Sequence, residues 1–413
     1  MQKNIKKRVV ITSIGVISSL GSSLNQIIDN IKKEKVSFKT FAFDKSVCVC
    51  PVDDFDLKKI TGRLKNARYL SRGARLCVAS AIMAINNSGL LKNTVGENLL
   101  YKSGLFTGTG PNFDIGGELS GITNGIIDPE NLSALWILKF LPNTATSVIS
   151  EFTGIHGENL TINTACSASM QAIGEAYRKI NNGYLDLALA GGGDSRLSQG
   201  GILAYKKAQT LCISNHNSAK EACRPFDKNR NGFMPGEGGA FFLLEELDHA
   251  LKRGAEIHCE ICGFGASIDG YNMTAPEPEG RWAKKAVISA LNEAEVSASD
   301  IDVVSAHGTG TLLNDVMESI LIDNIFMQNK PIIIAIKSWI GHLSAACGAS
   351  ELAVCLSCMK HGYIPKIRNL VDSCKPGLNF ALKTKKTSFN TLLMQNFGFG
   401  GQNAALVIKS WKK

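Results

Sequence analysis

The chain has 413 residues, 44% of them apolar and 20% charged, which suits two core-bearing units or one large fused one and excludes a disordered protein. Its 45 basic and 36 acidic side chains leave a formal charge of +9, a modest excess that no nucleic-acid motif accompanies, so DNA or RNA binding is not expected. Twelve cysteines without an export signal read as reduced thiols of a cytoplasmic protein rather than as a disulfide framework.

Residues Met1 to Leu20 imitate a signal peptide, because Lys3, Lys6, Lys7 and Arg8 precede an apolar stretch. Thr12, Ser13, Gly15 and Ser18 interrupt that stretch and no cleavage site follows, so it is read as a strand over 8–13 and a helix near 23–33. Further strands are predicted over 103–108, 159–164, 186–191, 239–245, 257–264, 301–306, 331–336, 392–397 and 404–409. Helices are predicted near 70–89, 168–182, 247–253, 281–294, 315–327 and 347–360, and the alternation indicates a layered α/β protein. No run reaches eighteen apolar residues, so no membrane span is predicted. Both halves open with a strand and close with a strand pair, a faint repeat that places a working boundary near 255, between 1–255 and 256–413.

The run Asn163-Thr164-Ala165-Cys166-Ser167-Ala168-Ser169 lies between a short β-rich segment and a helix whose apolar positions are Met170, Ile173, Tyr177 and Ile180. Cys166 therefore falls at a strand-to-helix elbow, where free backbone N–H groups and the helix dipole favour thiolate over thiol. A small buried cysteine is the plain alternative. What sets Cys166 apart is the company of His307 in AHGTGT and His342 in KSWIGH, each just beyond a predicted strand and flanked by glycine or small residues. Two C-x-x-C pairs, Cys259/Cys262 and Cys355/Cys358, lie too far apart in sequence for a zinc ribbon, and no metal site is expected.

These residues are where the chain resembles the condensing enzymes of the thiolase superfamily, most closely the type II β-ketoacyl-acyl carrier protein synthases. The likeness runs from VVITSIGVISSLG at 9–21 through NTACSAS at 163–169, RPFDKNRNGFMPGEGGAFFLLEE at 224–246 and GFG at 263–265. It continues through AHGTGTLLND at 306–315, KSWIGHLSAACG at 337–348 and FGFGG at 397–401. The resemblance implies duplicated βαβαβαββ halves in a five-layer αβαβα arrangement, the first carrying the cysteine and the second both histidines. It implies a decarboxylative Claisen condensation in fatty acid biosynthesis, with Cys166 holding the acyl chain and His307 and His342 acting on the malonyl donor. Lys337 and Glu318 would brace the histidines, and the backbone N–H groups of Cys166 and Phe399 would form the oxyanion hole, with Phe399 also a gate. Thr309 and Thr311 would bind the phosphopantetheine arm, unless their hydroxyls cap the following helix. That arm arrives on an acyl carrier protein, so no bound cofactor is implied. The partner is acidic in this family. Arg63, Lys65 and Arg68, part of a cluster running on through Arg72 and Arg75, are its candidate docking residues together with Lys206 and Lys207, against the alternative of a solvated helix face. A homodimer, or a heterodimer with a related subunit, is also implied.

The chain departs from the common elongation pattern at Gln395, Asn396 and Gln402 around FGFGG, at Trp339, and over Gly108 to Phe113, which lacks a following glycine pair. These departures keep a second enzymatic reading open, a ketosynthase of a polyketide or aryl-polyene pathway. A non-catalytic chain-length or scaffold subunit is a third reading, opposed by the presence of Cys166. A degradative thiolase needs a second cysteine near the C-terminus, and Cys374 stands in a turn-like setting that does not resemble one.

Overall fold

The computed structural model describes residues 6–412 except 93, 114–121, 124–125, 133 and 214–217. The apolar stretch near the N-terminus becomes β1 (Val9–Ile17), every residue of which is buried at the centre of a ten-stranded mixed sheet. The other strands are β2 (Gly104–Gly108), β3 (Asn159–Ile162), β4 (Leu187–Ser195), β5 (Glu237–Glu246), β6 (Cys259–Ile268), β7 (Val303–Ser305), β8 (Ile332–Ile334), β9 (Thr391–Gly398) and β10 (Gln402–Ser410). They are the ten strands predicted from the sequence, with shifted ends.

Their spatial order is β8-β7-β9-β10-β6-β1-β5-β4-β2-β3. Counted outward from the centre, the first five strands and the last five follow the same sequence, first, fifth, fourth, second, third. The fold is therefore a tandem duplication, and the two half-sheets meet through a short antiparallel pairing of β1 with β6 at Val9, Val10 and Ile11.

Helices complete the layers. We label them α1 (Leu24–Lys32), α2 (Arg72–Ser88), α3 (Ala168–Asn181), α4 (Arg281–Glu293), α5 (Leu312–Ile325) and α6 (Cys347–His361). α2 covers the outer face of the first half-sheet, and α4 covers that of the second, with α5 alongside it. α3 and α6 pack on each other between the half-sheets, and α6 is buried on all sides from Cys347 to Cys358, so it carries no amphipathic stripe. Gly174 of α3 permits this sandwich, since a Cβ there would lie 2.3 Å from the Phe264 ring of β6. The arrangement is α/β/α/β/α, with apolar clusters between successive layers. No described helix is long and apolar enough to cross a membrane.

Candidate active site

β3 ends at Ile162, a single 3₁₀ turn spans Ala165–Ser167, and α3 begins at Ala168, so Cys166 occupies the anticipated elbow. Ala165 has a φ of 49°, a left-handed conformation that turns the chain sharply just before Cys166. The FGFGG loop between β9 and β10 closes against this turn. Gly398 makes the approach possible, because a Cβ on it would lie 2.8 Å from the Thr164 carbonyl oxygen and 3.0 Å from the Cys166 nitrogen. The backbone N–H of Phe399 donates to the Cys166 sulfur.

His307 follows β7, and His342 follows a short helical turn, Lys337–Ile340, beyond β8. The backbone N–H of His342 donates to the Met234 carbonyl at 2.7 Å, and its own carbonyl accepts from Gly236 at 2.9 Å. Both imidazoles are buried, and one ligand atom from each of Cys166, His307 and His342 lies within 4.8 Å of the others. Among the described residues no other group of three cysteine, histidine or acidic side chains converges in this way, and neither C-x-x-C pair takes part.

The hydrogen bonds fix the tautomers. His307 Nδ1 receives Lys337 Nζ at 3.0 Å and Asn396 Nδ2 at 3.2 Å, both donors, so Nδ1 accepts and Nε2 carries the proton. His342 Nδ1 accepts from the Ser344 backbone N–H at 3.1 Å, so its proton is also on Nε2. Burial, and then the Lys337 ammonium, hold both rings far below the usual imidazole range, His342 at about 3. Both are neutral N–H donors at neutral pH.

Lys337 and Glu318 both brace His307, by different routes. Lys337 is ion-paired to Glu351, each 1% exposed, and Glu351 also accepts from Asn396 Nδ2 at 3.0 Å. Burial pulls the lysine toward neutrality, but the Glu351 carboxylate outweighs it and the ammonium is retained. Glu318 accepts the backbone N–H groups of His307 at 2.6 Å and Gly308 at 2.8 Å, which holds the loop. Burial pushes its carboxyl up to about 8 against the pull of these donors.

One expectation needs correction. The elbow does not favour the thiolate: burial pushes the Cys166 thiol up to about 11, despite the opposing pull of Lys337 and the Phe399 N–H. Desolvation outweighs the dipole.

Thr309 and Thr311 line the same cavity, of about 640 Å³, with their hydroxyls 2.8 Å apart. Thr311 stands at the N-cap of α5 without a capping side-chain bond, so the capping alternative is not realised. Phe399 is half-buried at the cavity wall beside the buried Phe397. The basic candidates separate into two places. Arg63 and Arg68 rim a different depression; Lys65 between them is exposed. Arg72 is bound to Glu237, and Arg75 to backbone carbonyls. Lys206 and Lys207 end a helix (Gln199–Lys207); next to them Tyr205, Ala208 and Gln209 line the cavity at Cys166, and Lys206 is paired to Asp44.

The sequence reading missed Glu351, Asn396 and the Phe233 ring stacked 4.5 Å from His342. A signal existed for Glu351, the lone charge in the apolar run from Cys347 to Cys358, since such a charge needs a buried partner. Asn396 was noticed only as a departure, and it is a bridge between His307 and Glu351. Trp339 faces away from the cavity, wholly buried, its Nε1 donating to the Lys366 carbonyl at 2.8 Å.

Residues 6–250 match the family model for the beta-ketoacyl synthase N-terminal domain, and 258–371 that for the C-terminal domain. The chain is 32% identical to 3-oxoacyl-(acyl-carrier-protein) synthase 2 of Synechocystis, over 98% of this chain and 99% of that protein. It is 30% identical to 3-oxoacyl-(acyl-carrier-protein) synthase 1 of Escherichia coli K12, over 98% of this chain and all of that protein. Among solved structures, a beta-ketoacyl synthase from Burkholderia phymatum superposes with a TM-score of 0.88 at 29% identity, and the ishigamide ketosynthase/chain length factor with 0.88 at 28%, each over 98% of this chain and 100% of theirs. The duplicated fold, the Cys-His-His site and these full-length likenesses agree: the chain belongs to the beta-ketoacyl synthase family.

Proposed function

We propose that the protein is a 3-oxoacyl-acyl carrier protein synthase of fatty acid biosynthesis, an acyltransferase that joins an acyl chain to a malonyl unit with loss of CO₂. The observation that carries the reading is the convergence at Cys166 of a ring nitrogen from each of His307 and His342, whose Nδ1 atoms accept hydrogen bonds from other groups, together with the Phe399 backbone N–H. In the first step the Cys166 sulfur attacks the carbonyl of an acyl thioester. The new S–C bond forms, the old C–S bond breaks, and the departing pantetheine thiol takes the proton that Cys166 gives up. The Cys166 and Phe399 backbone N–H groups receive the charge that develops on the carbonyl oxygen.

In the second step malonyl thioester loses its carboxylate as CO₂, and the electron pair of the broken C–C bond becomes an enolate. The neutral imidazoles donate to the enolate oxygen without transferring a proton, which their low basicity suits. The enolate carbon attacks the acyl carbonyl, the C–S bond to Cys166 breaks, and the thiolate regains a proton from solvent. Thr309 and Thr311 hold the phosphopantetheine arm, which acyl carrier protein supplies, and no resident cofactor or metal takes part. Lys206 and Lys207 beside the cavity, and Arg63, Lys65 and Arg68 farther off, receive the acidic carrier. The chain works in a reducing compartment, the cytoplasm, with its twelve cysteines as free thiols. It pairs with a second copy or a related subunit: β3 is an outer edge of the sheet, with Leu160 40% exposed, whereas the other edge, β8, is covered by the segment at Asn379 to Ala381.

The test is intact mass after incubation with acyl carrier protein thioesters. An increase of one acyl group, absent in Cys166→Ala, is expected. No adduct with short, long or unsaturated chains would leave only the scaffold reading. The polyketide or aryl-polyene alternative keeps the same chemistry and differs in the acyl chain, on which Arg196 bears.

A further inference from the structure

The cavity at Cys166 adjoins a second one of about 360 Å³, and Gly110, Pro111 and Arg196 line both. An acyl chain held on Cys166 that is long enough to enter the second cavity has to pass the Arg196 guanidinium. That group is unusual for a hydrocarbon passage. Its side chain is 5% exposed and has one ionic partner among the described residues, Asp194, whose Oδ2 accepts from Nη2 at 3.0 Å. Its carbon lies 4.6 Å from the centroid of the Phe113 ring, and its buried Nε–H has no acceptor among the described residues. Asp194 is well supplied, accepting also from the backbone N–H groups of Ser195 at 2.8 Å and Ala345 at 3.1 Å.

The backbone makes room for this group. A Cβ on Gly110 would fall 2.1 Å from Arg196 Nη2 and 2.9 Å from Asp194 Oδ2, so the chain gives up a side chain at the junction and the guanidinium fills the space. A buried donor without an acceptor is costly, and a saturated chain that drives water from the passage leaves it so. An oxygen on the acyl chain would satisfy it. Asp194 already neutralises the positive charge, and a second carboxylate would be buried beside the first; a neutral acceptor fits where an anion does not.

We propose that Arg196 is a specificity-determining residue, selecting acyl chains that carry a keto or hydroxyl oxygen over hydrocarbon chains of equal length. The proposal rests on the Cys166 acylation chemistry above, and because fatty acid elongation supplies hydrocarbon chains it turns the substrate of that same site toward the polyketide alternative.

Octanoyl phosphopantetheine thioester and a series bearing one oxo or hydroxyl group at successive carbons serve as probes, with the rate of Cys166 acylation followed by intact mass. At least one oxygenated chain is expected to load about tenfold faster than octanoyl, the scale of one satisfied buried hydrogen bond. In Arg196→Met the ratio falls to about one. The double variant Asp194→Asn/Arg196→Met removes both charges, so no lone carboxylate is left buried, and the same loss is expected there. Arg196→Lys retains the ion pair but lacks the Nε–H, and it too should lose the preference, which covers a failure of the other variants to fold. Equal or faster loading of octanoyl than of every oxygenated chain overturns the proposal, as does a preference that survives all three substitutions. Acylation without preference leaves the catalytic reading intact; no acylation by any chain sinks both.

Discussion

Burial sets the protonation of the reactive groups. Cys166 rests as a thiol, pushed up to about 11 by burial, so its thiolate fraction grows tenfold per pH unit through the neutral range. Alkylation of the free protein by iodoacetamide should accelerate about tenfold per unit from pH 7 to pH 9. A plateau below pH 8 would mean a resting thiolate. Lys337→Met removes the nearest stabilising cation and should slow alkylation further at every pH. His342 titrates at about 3 when folded, below its ordinary 6.5. As pH falls below 6.5 the unfolded chain takes up a proton that the folded one refuses, so this contribution to stability is present above 6.5 and drains away toward 3. Between pH 7 and 5 the loss from this group is about 2 kcal/mol. Wild type should therefore lose about that much more than His342→Gln in urea unfolding over the same interval. Parallel losses in the two proteins would show that the imidazole titrates in the folded protein near its ordinary 6.5.

The ten predicted strands are those of the central sheet because buried strands advertise themselves as short apolar runs between breakers. Shorter or conflicted elements escaped. The helix Thr144–Thr153 is rich in threonine, valine and isoleucine, which favour strands locally, and it is helical because Val148 and Ile149 are buried in the core beneath α2. Gln199–Lys207 has two glycines in its first turn, which obscure its helix. The cysteine and the two histidines that converge could be picked out from their local motifs. The Lys337–Glu351–Asn396 brace could not, because α6, β9 and the turn at Lys337 meet only after folding. Next to Asn396 in β9, Gln395 is wholly buried and neither polar atom of its amide has a partner among the described residues. Gln395→Met keeps the volume and removes the unpaired groups, and should stabilise the protein by about 1 kcal/mol, read as a higher urea midpoint. A lower midpoint would indicate that the amide is satisfied by water.

Across the whole molecule the two halves are held by the α3–α6 layer more than by the short β1–β6 pairing. Gly174 is the tightest test of that layer. Gly174→Ala places a methyl group against the Phe264 ring of the other half and should cost about 2 kcal/mol. Phe264→Leu in the same chain should recover part of the loss, so that the double-mutant cycle gives a coupling outside additivity. Additive effects would mean that the half-sheets separate freely to accept the methyl.

The duplication also has a temporal meaning. A ribosome delivers Cys166, with its whole half-sheet, before it delivers His307, His342 and the Phe399 loop. Until the later half folds onto the earlier one, the thiol lacks both imidazoles and the Phe399 N–H. The nascent chain thus carries Cys166 without its neighbours, and the site is complete only when the last hairpin, β9 with β10, has closed.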